Sequence, residues 1–471
     1  MITGFLTFAL FFLESLFLGP TYVHGVVGYP NSFNPLYAKS DSEKIVSGLL
    51  FKGLFKYDEG GAIVPDLAES YTVSDDGLSY DIKLKPNVFW HDGTPITAND
   101  ILYTASKSPV LKEISTDKID DRTVRFTLPN KFSPFLDLLT IGLVPAESGA
   151  SKGPMIFGSG DYKMARIKMD KANVKEVTLI TNSPKYEFKK VVFRFFDSED
   201  DLMNAYKIGE INGFLSKGRF IFDKVKDFRV SFYGRYFALI FNTKSKLLEA
   251  AEDRKVLSTA INYDYLFDNI IKERGVRANG PLSRTWAEDK DITFLNYVNP
   301  QIKERDENKV VNYYYVKGDL NKEISEYIKQ SWENIGFTVN LYELSSENLL
   351  STIHSKDFDV LFIGQEVSRD PDRYVFWHST QATDTGLNFG SYKSVRVDKA
   401  LEEGRKALDE EERKKHYGIM QKVFADEYPA IFLYHPTFHF YVSDYMNGIS
   451  LSGVYYPWDI FRSLKDWNPG I

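Results

Sequence analysis

The feature that most restricts the fold of this chain is the order of patterns between residues 310 and 364. Residues 310–316, VVNYYYV, read as a strand. Residues 320–335 read as a helix, because Leu320, Ile324, Tyr327, Ile328, Trp332 and Ile335 fall near one face, and Gly336 stops it. Residues 337–344 alternate as a second strand, 346–355 form a second helix, and 358–364 are a buried third strand. Strand, helix, strand, helix, strand is the order of a doubly wound sheet, whose ligand-facing loops lie at the carboxyl ends of its strands. The loop after Gly364 is therefore the place to look for a site. A shorter unit, strand 191–196, helix 198–208 stopped by Gly209 and strand 211–214, implies a parallel pair elsewhere with a right-handed crossover.

At 471 residues the chain is too long for one ordinary core, so two or three domains are expected. Residues 22–28 read as a strand feeding the turn-rich loop 29–35, and 41–50 as a helix capped by Ser40 or Asp41. Between 44 and 143 the patterns are mostly β. Leu78, Tyr80, Ile82 and Leu84 alternate with polar residues, Val124, Phe126 and Leu128 do the same, and Thr97 with Asp100 caps a helix. Residues 236–243 form a strand, 253–274 a helix that restarts at Asn262, 397–408 and 409–426 two further helices, and 430–434 a buried strand.

The 58 basic and 65 acidic residues, net charge −7, are spread along the chain, which argues against nucleic acid as a partner. The absence of cysteine removes disulfides, thiolate metal sites, cysteine nucleophiles and a lipid-modified cysteine anchor. Residues 2–18 are apolar apart from Thr3, Thr7, Glu14 and Ser15. That run reads as a retained membrane anchor or a cleaved signal, and the anchor is preferred because no A-x-A cleavage site follows.

Catalytic patterns are missing. The chain has no G-x-S-x-G elbow and no GxxxxGK[ST] loop, so it is neither a serine hydrolase of that type nor its own ATPase. His435 and His439 stand four apart in an extended segment, where they do not share a face as zinc-binding pairs do on a helix. No metal site and no cofactor are expected. His378 beside Trp377 is the one histidine in the loop after Gly364.

The ordered stretch VPDLAESY followed by DDGLSYDIKLKPNVFWHDGTPITANDILYT, residues 64–104, resembles the signature of the family 5 extracellular solute-binding proteins, the dipeptide, oligopeptide and nickel receptors of bacterial ABC importers. Gly158-Ser159-Gly160-Asp161-Tyr162-Lys163 resembles the family's Gly-Thr-Gly-Pro-Tyr-Lys turn, and Asn388-Phe389-Gly390 its Asn-rich loop facing the cleft. Asp370-Pro371 resembles its Asp-Pro pair, upstream of which an acid meets the ligand's amine in the peptide receptors. Here that upstream position is Val367, and the nearest carboxylate, Glu366, is one place off.

The resemblance implies an α/β, two-lobed periplasmic-binding-protein type II fold with an extra mostly β subdomain. It divides the chain into 1–20, an anchor or signal; 21–43, 144–240 and 440–471, lobe I; 44–143, the extra subdomain; and 241–439, lobe II. It implies ligand contacts from Tyr29, Asn31, Glu366, Arg369, Asp370, Asp372, Trp377, Asn388 and Phe389, and a hinge at Phe241, Asn242 and Pro436. The implied function is capture of peptides by hinge closure in an interlobe cleft. A monomer at the outer face of the plasma membrane or in the periplasm would deliver them to an ABC permease driven by a separate ATPase. The alternatives are a membrane-tethered sensor, a receptor for a non-peptide solute such as a metal chelate, and a hydrolase on the same scaffold.

Overall fold

The computed structural model describes residues 19–146, 157–299, 301 and 309–470. The apolar run 2–18 lies outside the described residues. The chain divides into two compact units, and it passes from the first to the second after Val230 and returns at Phe438.

In the first unit the strand Thr21–Val27 runs parallel to Lys190–Phe196 on one side and Gly213–Ser216 on the other, with His24 opposite Phe193 and Gly25 opposite Phe214. The two strands expected as a parallel pair, Lys190–Phe196 and Gly213–Ser216, do run parallel, but Thr21–Val27 lies between them in the sheet. The helix between them, Glu199–Lys207, is capped by Ser198, whose Oγ accepts from the Asp201 amide at 3.1 Å. Two antiparallel strands, Asn173–Ile180 and Lys163–Asp170, extend the sheet beyond Lys190–Phe196. The core is aromatic. His24 packs edge-on against Phe461 at 5.0 Å and Phe193 at 5.9 Å, and Tyr22 against Trp467 at 5.2 Å.

A separate antiparallel sheet orders Ala68–Val73, Ser79–Leu84, Thr123–Thr127 and Ser115–Lys118. Tyr80, Ile82, Leu84, Val124 and Phe126 are buried on it, as their alternation requires. This is the extra β-rich part of the fold. Thr97 and Asp100 cap the following helix as expected, the Thr97 amide donating to Asp100 Oδ2 at 2.8 Å.

The second unit holds the doubly wound sheet. Val310–Val316 is parallel to Thr338–Leu344 and to Val360–Glu366, with the helices Asp319–Glu333 and Ser346–Ser355 in the crossovers. Trp332 is fully buried and its Nε1 donates to the Leu257 carbonyl at 2.8 Å. Arg235–Phe241 then pairs antiparallel with Val360–Glu366 along its whole length. The helix expected over 253–274 begins as Ala251–Thr259 and restarts where Asn262 Oδ1 accepts from the Tyr265 amide at 3.0 Å.

Two expectations differ from the structure. Residues 430–434, expected as a strand of their own, continue through the expected hinge residue Pro436 into one strand, Ala430–Ser443, because Pro436 lacks only a donor and its carbonyl still accepts from the Phe232 amide at 2.9 Å. The first passage between units falls at Val230–Ser231 rather than 240–241, since Arg235–Phe241 pairs with Val360–Glu366 of the second unit. Phe241 is fully buried there, and Asn242 Nδ2 donates to the carbonyls of Lys356 at 3.0 Å and Phe358 at 2.9 Å. Residues Phe132–Pro134 also join the second unit, where Arg405 lies over the Phe132 ring at 4.9 Å.

Candidate functional site

The strand Val360–Glu366 delivers its carboxyl end into the loop 367–379, and most of that loop's polar groups are bonded within the unit. Asp370 is buried and takes two parallel hydrogen bonds from Arg413, at 2.8 and 2.7 Å. Burial works against the Arg413 charge, but the hydrogen bonds and charge of Asp370 outweigh it and raise the guanidinium above its ordinary value. Asp372 accepts from Arg405 Nε at 2.9 Å, and burial lifts its carboxyl above the usual range with Arg405 opposing. Arg373, 1% exposed, donates to the carbonyls of Pro281 at 3.0 Å and Asp370 at 2.7 Å. These bonds hold the turn in one shape.

The apolar members are equally enclosed. Trp377, 1% exposed, packs on Phe424 at 4.9 Å and Phe432 at 5.8 Å. Asn388 is fully buried, its Nδ2 donating to the Tyr392 carbonyl at 2.8 Å and its Oδ1 accepting from the Tyr392 amide at 3.1 Å. Phe389 is buried beside it, and the carbonyls of both residues accept from Lys356 Nζ at 3.0 Å. His378 stacks on Tyr374 at 4.0 Å and its nitrogens face Thr380 at 2.8 Å and Glu402 at 3.2 Å. Arg369 is half-buried in the loop. Among the described residues no group of three or more metal-ligating side chains is present.

Glu366 differs from its neighbours, because its side chain is 38% exposed at the end of the strand, with Arg235 Nη2 at 3.1 Å. Arg235 was not anticipated from the sequence. It stands opposite Glu366 in the antiparallel register, and that pairing across 131 residues has no local sign. Near it, His435 Nδ1 bonds the Arg235 carbonyl at 2.9 Å, while burial lowers the imidazole to about 4, so it is neutral. Its Nε2 is buried with no hydrogen-bond partner among the described residues. Tyr233 packs on His435 at 5.3 Å and lies under Arg284 at 5.1 Å.

In the first unit the carboxyl end of Thr21–Val27 feeds the loop carrying Tyr29 and Asn31. Tyr29 donates to Asp197 at 2.7 Å, and Lys175 sits over its ring at 4.1 Å. The loop is fastened by Glu43, a buried residue absent from the expected set. Glu43 Oε1 accepts from the amides of Asn31 at 2.7 Å and Ser32 at 3.3 Å, and Oε2 from those of Lys39 at 2.6 Å and Ser40 at 2.9 Å. The signal that could have found it is its place at the third position of a Ser-capped helix, where a glutamate turns back to the preceding chain.

A concave pocket of about 600 Å³ opens at the opposite end of the second unit's sheet, lined by Thr243, Lys244, Arg254, Ser391, Tyr392 and Glu427 among others. Tyr392 donates to Glu427 there at 2.5 Å. The strand Arg235–Phe241 separates this pocket from Glu366 by roughly 25 Å.

The pattern of bacterial extracellular solute-binding proteins, family 5, matches residues 62–386, and the chain belongs to that family. It is 25% identical to the oligopeptide-binding protein AppA of Bacillus subtilis, over 95% of this chain and 91% of that protein. Its fold superposes on the ABC transporter substrate-binding protein CtaP of Listeria monocytogenes with a TM-score of 0.82 at 23% identity, covering 96% of this chain and 100% of that one. It superposes on NikZ of Campylobacter jejuni, solved with Ni(L-His), with a TM-score of 0.75 at 23% identity, covering 95% and 99%. The α/β fold is thus that of the peptide and nickel receptors, and the chain is an extracytoplasmic, non-enzymatic substrate-binding component of ABC transport.

Proposed function

We propose that this receptor takes oligopeptides, and that Glu366 with Arg235 meets their charged ends. The observation that carries the reading is the contrast within one loop. Asp370 and Asp372 are committed to Arg413 and Arg405, whereas the Glu366–Arg235 pair is solvent-facing at the carboxyl end of a sheet strand, where ligands of doubly wound sheets are held. A carboxylate beside a guanidinium can exchange its partner for a ligand ammonium while the arginine receives a ligand carboxylate, both by charge-assisted hydrogen bonds. Tyr29 and Asn31 on the first unit's fastened loop, with Arg369 on the second unit's loop, complete the proposed contact set. Asp370, Asp372, Trp377, Asn388 and Phe389 shape the loop from behind. Binding would draw the units closed about the two chain passages and present the closed form to a permease with its separate ATPase. In this reading the protein acts as a monomer tethered by its N-terminal apolar segment. AppA, the relative named for oligopeptides, gives independent support.

Isothermal titration with a mixed tripeptide to pentapeptide set tests the assignment. Glu366→Gln and Arg235→Met should each weaken binding at least tenfold with the unfolding midpoint unchanged, because a charged hydrogen bond contributes about 1.5–3 kcal/mol. Equal affinity in both variants would contradict the proposed pair.

A further inference from the structure

The pocket at the far end of the second unit's sheet takes no part in the peptide reading. At about 600 Å³ it falls within the roughly 300–1,000 Å³ of small-molecule sites. The strand Arg235–Phe241 leads into it at Thr243 and Lys244, and the helix Ala251–Thr259 begins at its wall with Ala251. No side chain caps that helix. A bare helix start favours anions only weakly, and Glu252 and Asp253 in its first turn oppose them. Two buried polar groups beside it decide what the pocket can hold.

Arg254 lines the pocket and is 4% exposed. Its Nε donates to the carbonyls of Glu427 at 3.0 Å and Tyr428 at 3.1 Å, its Nη2 to that of Glu427 at 2.6 Å, and its Nη1 to those of Leu248 at 2.7 Å and Glu249 at 2.8 Å. All are neutral acceptors. The guanidinium is therefore buried without an ion pair among the described residues, and its second Nη2 hydrogen has no acceptor there. Burial lowers the guanidinium from its ordinary value, with Tyr392 and Glu427 opposing. Ser391, 3% exposed, lines the same pocket, and its Oγ is buried with no hydrogen-bond partner among the described residues. Lys244 and Lys393 also line it, both exposed and neither ion-paired among those residues.

The pocket holds two acids as well. Glu427 Oε2 accepts from Tyr392, its Oε1 takes no hydrogen bond among the described residues, and Glu249 is exposed. A plain anion would face these carboxylates, and a plain cation would face Arg254. A molecule carrying both signs meets each wall with a charge-assisted hydrogen bond.

We propose that this pocket binds a free amino acid as a zwitterion, its carboxylate against Arg254, Ser391 and the helix start and its ammonium against Glu427. It is a second ligand site, set apart from Glu366 by the length of the strand Arg235–Phe241. The two assignments share no residue, so either can fail alone.

Hydrogen exchange of the full-length protein tests the assignment. A peptide-free mixture of the protein amino acids should slow exchange at residues 251–253 and 391–393. Succinate, with carboxylates and no ammonium, should not, and neither should putrescine, with ammonium groups and no carboxylate. Lys244→Gln with Ser391→Gly should raise the midpoint of the protection by about tenfold or more. Glycine keeps the left-handed backbone that Ser391 holds at φ 53°, and Lys244 is exposed, so the unfolding midpoint should stay in place. No protection at either segment, protection confined to 366–379, equal protection by succinate, or an unmoved midpoint in the double variant would each overturn the proposal.

Discussion

Glu43 offers a test of how the first unit holds its loop. Its two carboxylate oxygens receive four backbone amides, from Asn31 and Ser32 on one side and Lys39 and Ser40 on the other. In Glu43→Gln one oxygen becomes an NH₂ group, so whichever way the amide turns, two amides lose their acceptor and face a donor. Hydrogen bonds to a charged acceptor contribute about 1.5–3 kcal/mol each. Two lost bonds give a cost of about 3 kcal/mol when water reaches the exposed Lys39 and Ser40 amides. For a unit of this size that is a drop of roughly 6–12 °C in its thermal transition.

The pH dependence follows from the same bonds. Burial pushes the Glu43 carboxyl up, but the amides of Lys39, Ser40, Asn31 and Ser32 outweigh it and hold it below its ordinary value. The folded pKa is below the unfolded one, so the contribution is complete above about pH 4.3 and is lost as pH falls through the folded pKa. Calorimetry of the two proteins between pH 3 and 7 should therefore show a gap of about 3 kcal/mol at neutrality that narrows toward pH 3. A gap under about 0.5 kcal/mol at pH 7 would show that the four amides do not depend on the Glu43 carboxylate.

Other outcomes follow from the same geometry. Asp370→Ala leaves Arg413 buried and unpaired and should cost the second unit about 3–5 kcal/mol in urea unfolding, while Asp370→Asn combined with Arg413→Met should cost clearly less. His24 is buried beside Tyr22, whose hydroxyl lies 3.0 Å from Nδ1, and burial lowers its imidazole to about 3. Below about pH 6.5 the unfolded chain takes up a proton that folded His24 refuses, so stability should fall by up to about 1.4 kcal/mol per pH unit, and His24→Phe should flatten that slope. Equal slopes in the two proteins would count against a neutral buried His24.

The second unit's sheet was legible because its information is local. The spacing of Leu320, Ile324, Ile328 and Trp332 marks one helix face, and Asn262 caps a restart whatever lies around it. The hairpin Lys163–Asp170 with Asn173–Ile180 was not assigned, since the outer strand is mostly exposed and shows no alternation of buried residues. The strand 430–434 reads as ending before Pro436 because a sequence shows the missing donor but not the carbonyl that remains bonded. The loop after Gly364 was found from the sheet rule, yet the roles within it depend on partners far along the chain. Arg413 lies 43 residues from Asp370 and Arg235 lies 131 from Glu366, and no period or motif links them. That distance is why the buried acids and the exposed one could not be told apart before the fold was known.

The most direct measurement is native mass spectrometry of the full-length protein as purified, followed by denaturation and identification of the released small molecules. The wild-type chain should release a ladder of short peptides, and Glu366→Gln should lose them at unchanged stability. Release of a single non-peptide compound or a metal chelate from the wild type, or an undiminished peptide ladder from Glu366→Gln, would contradict the peptide reading.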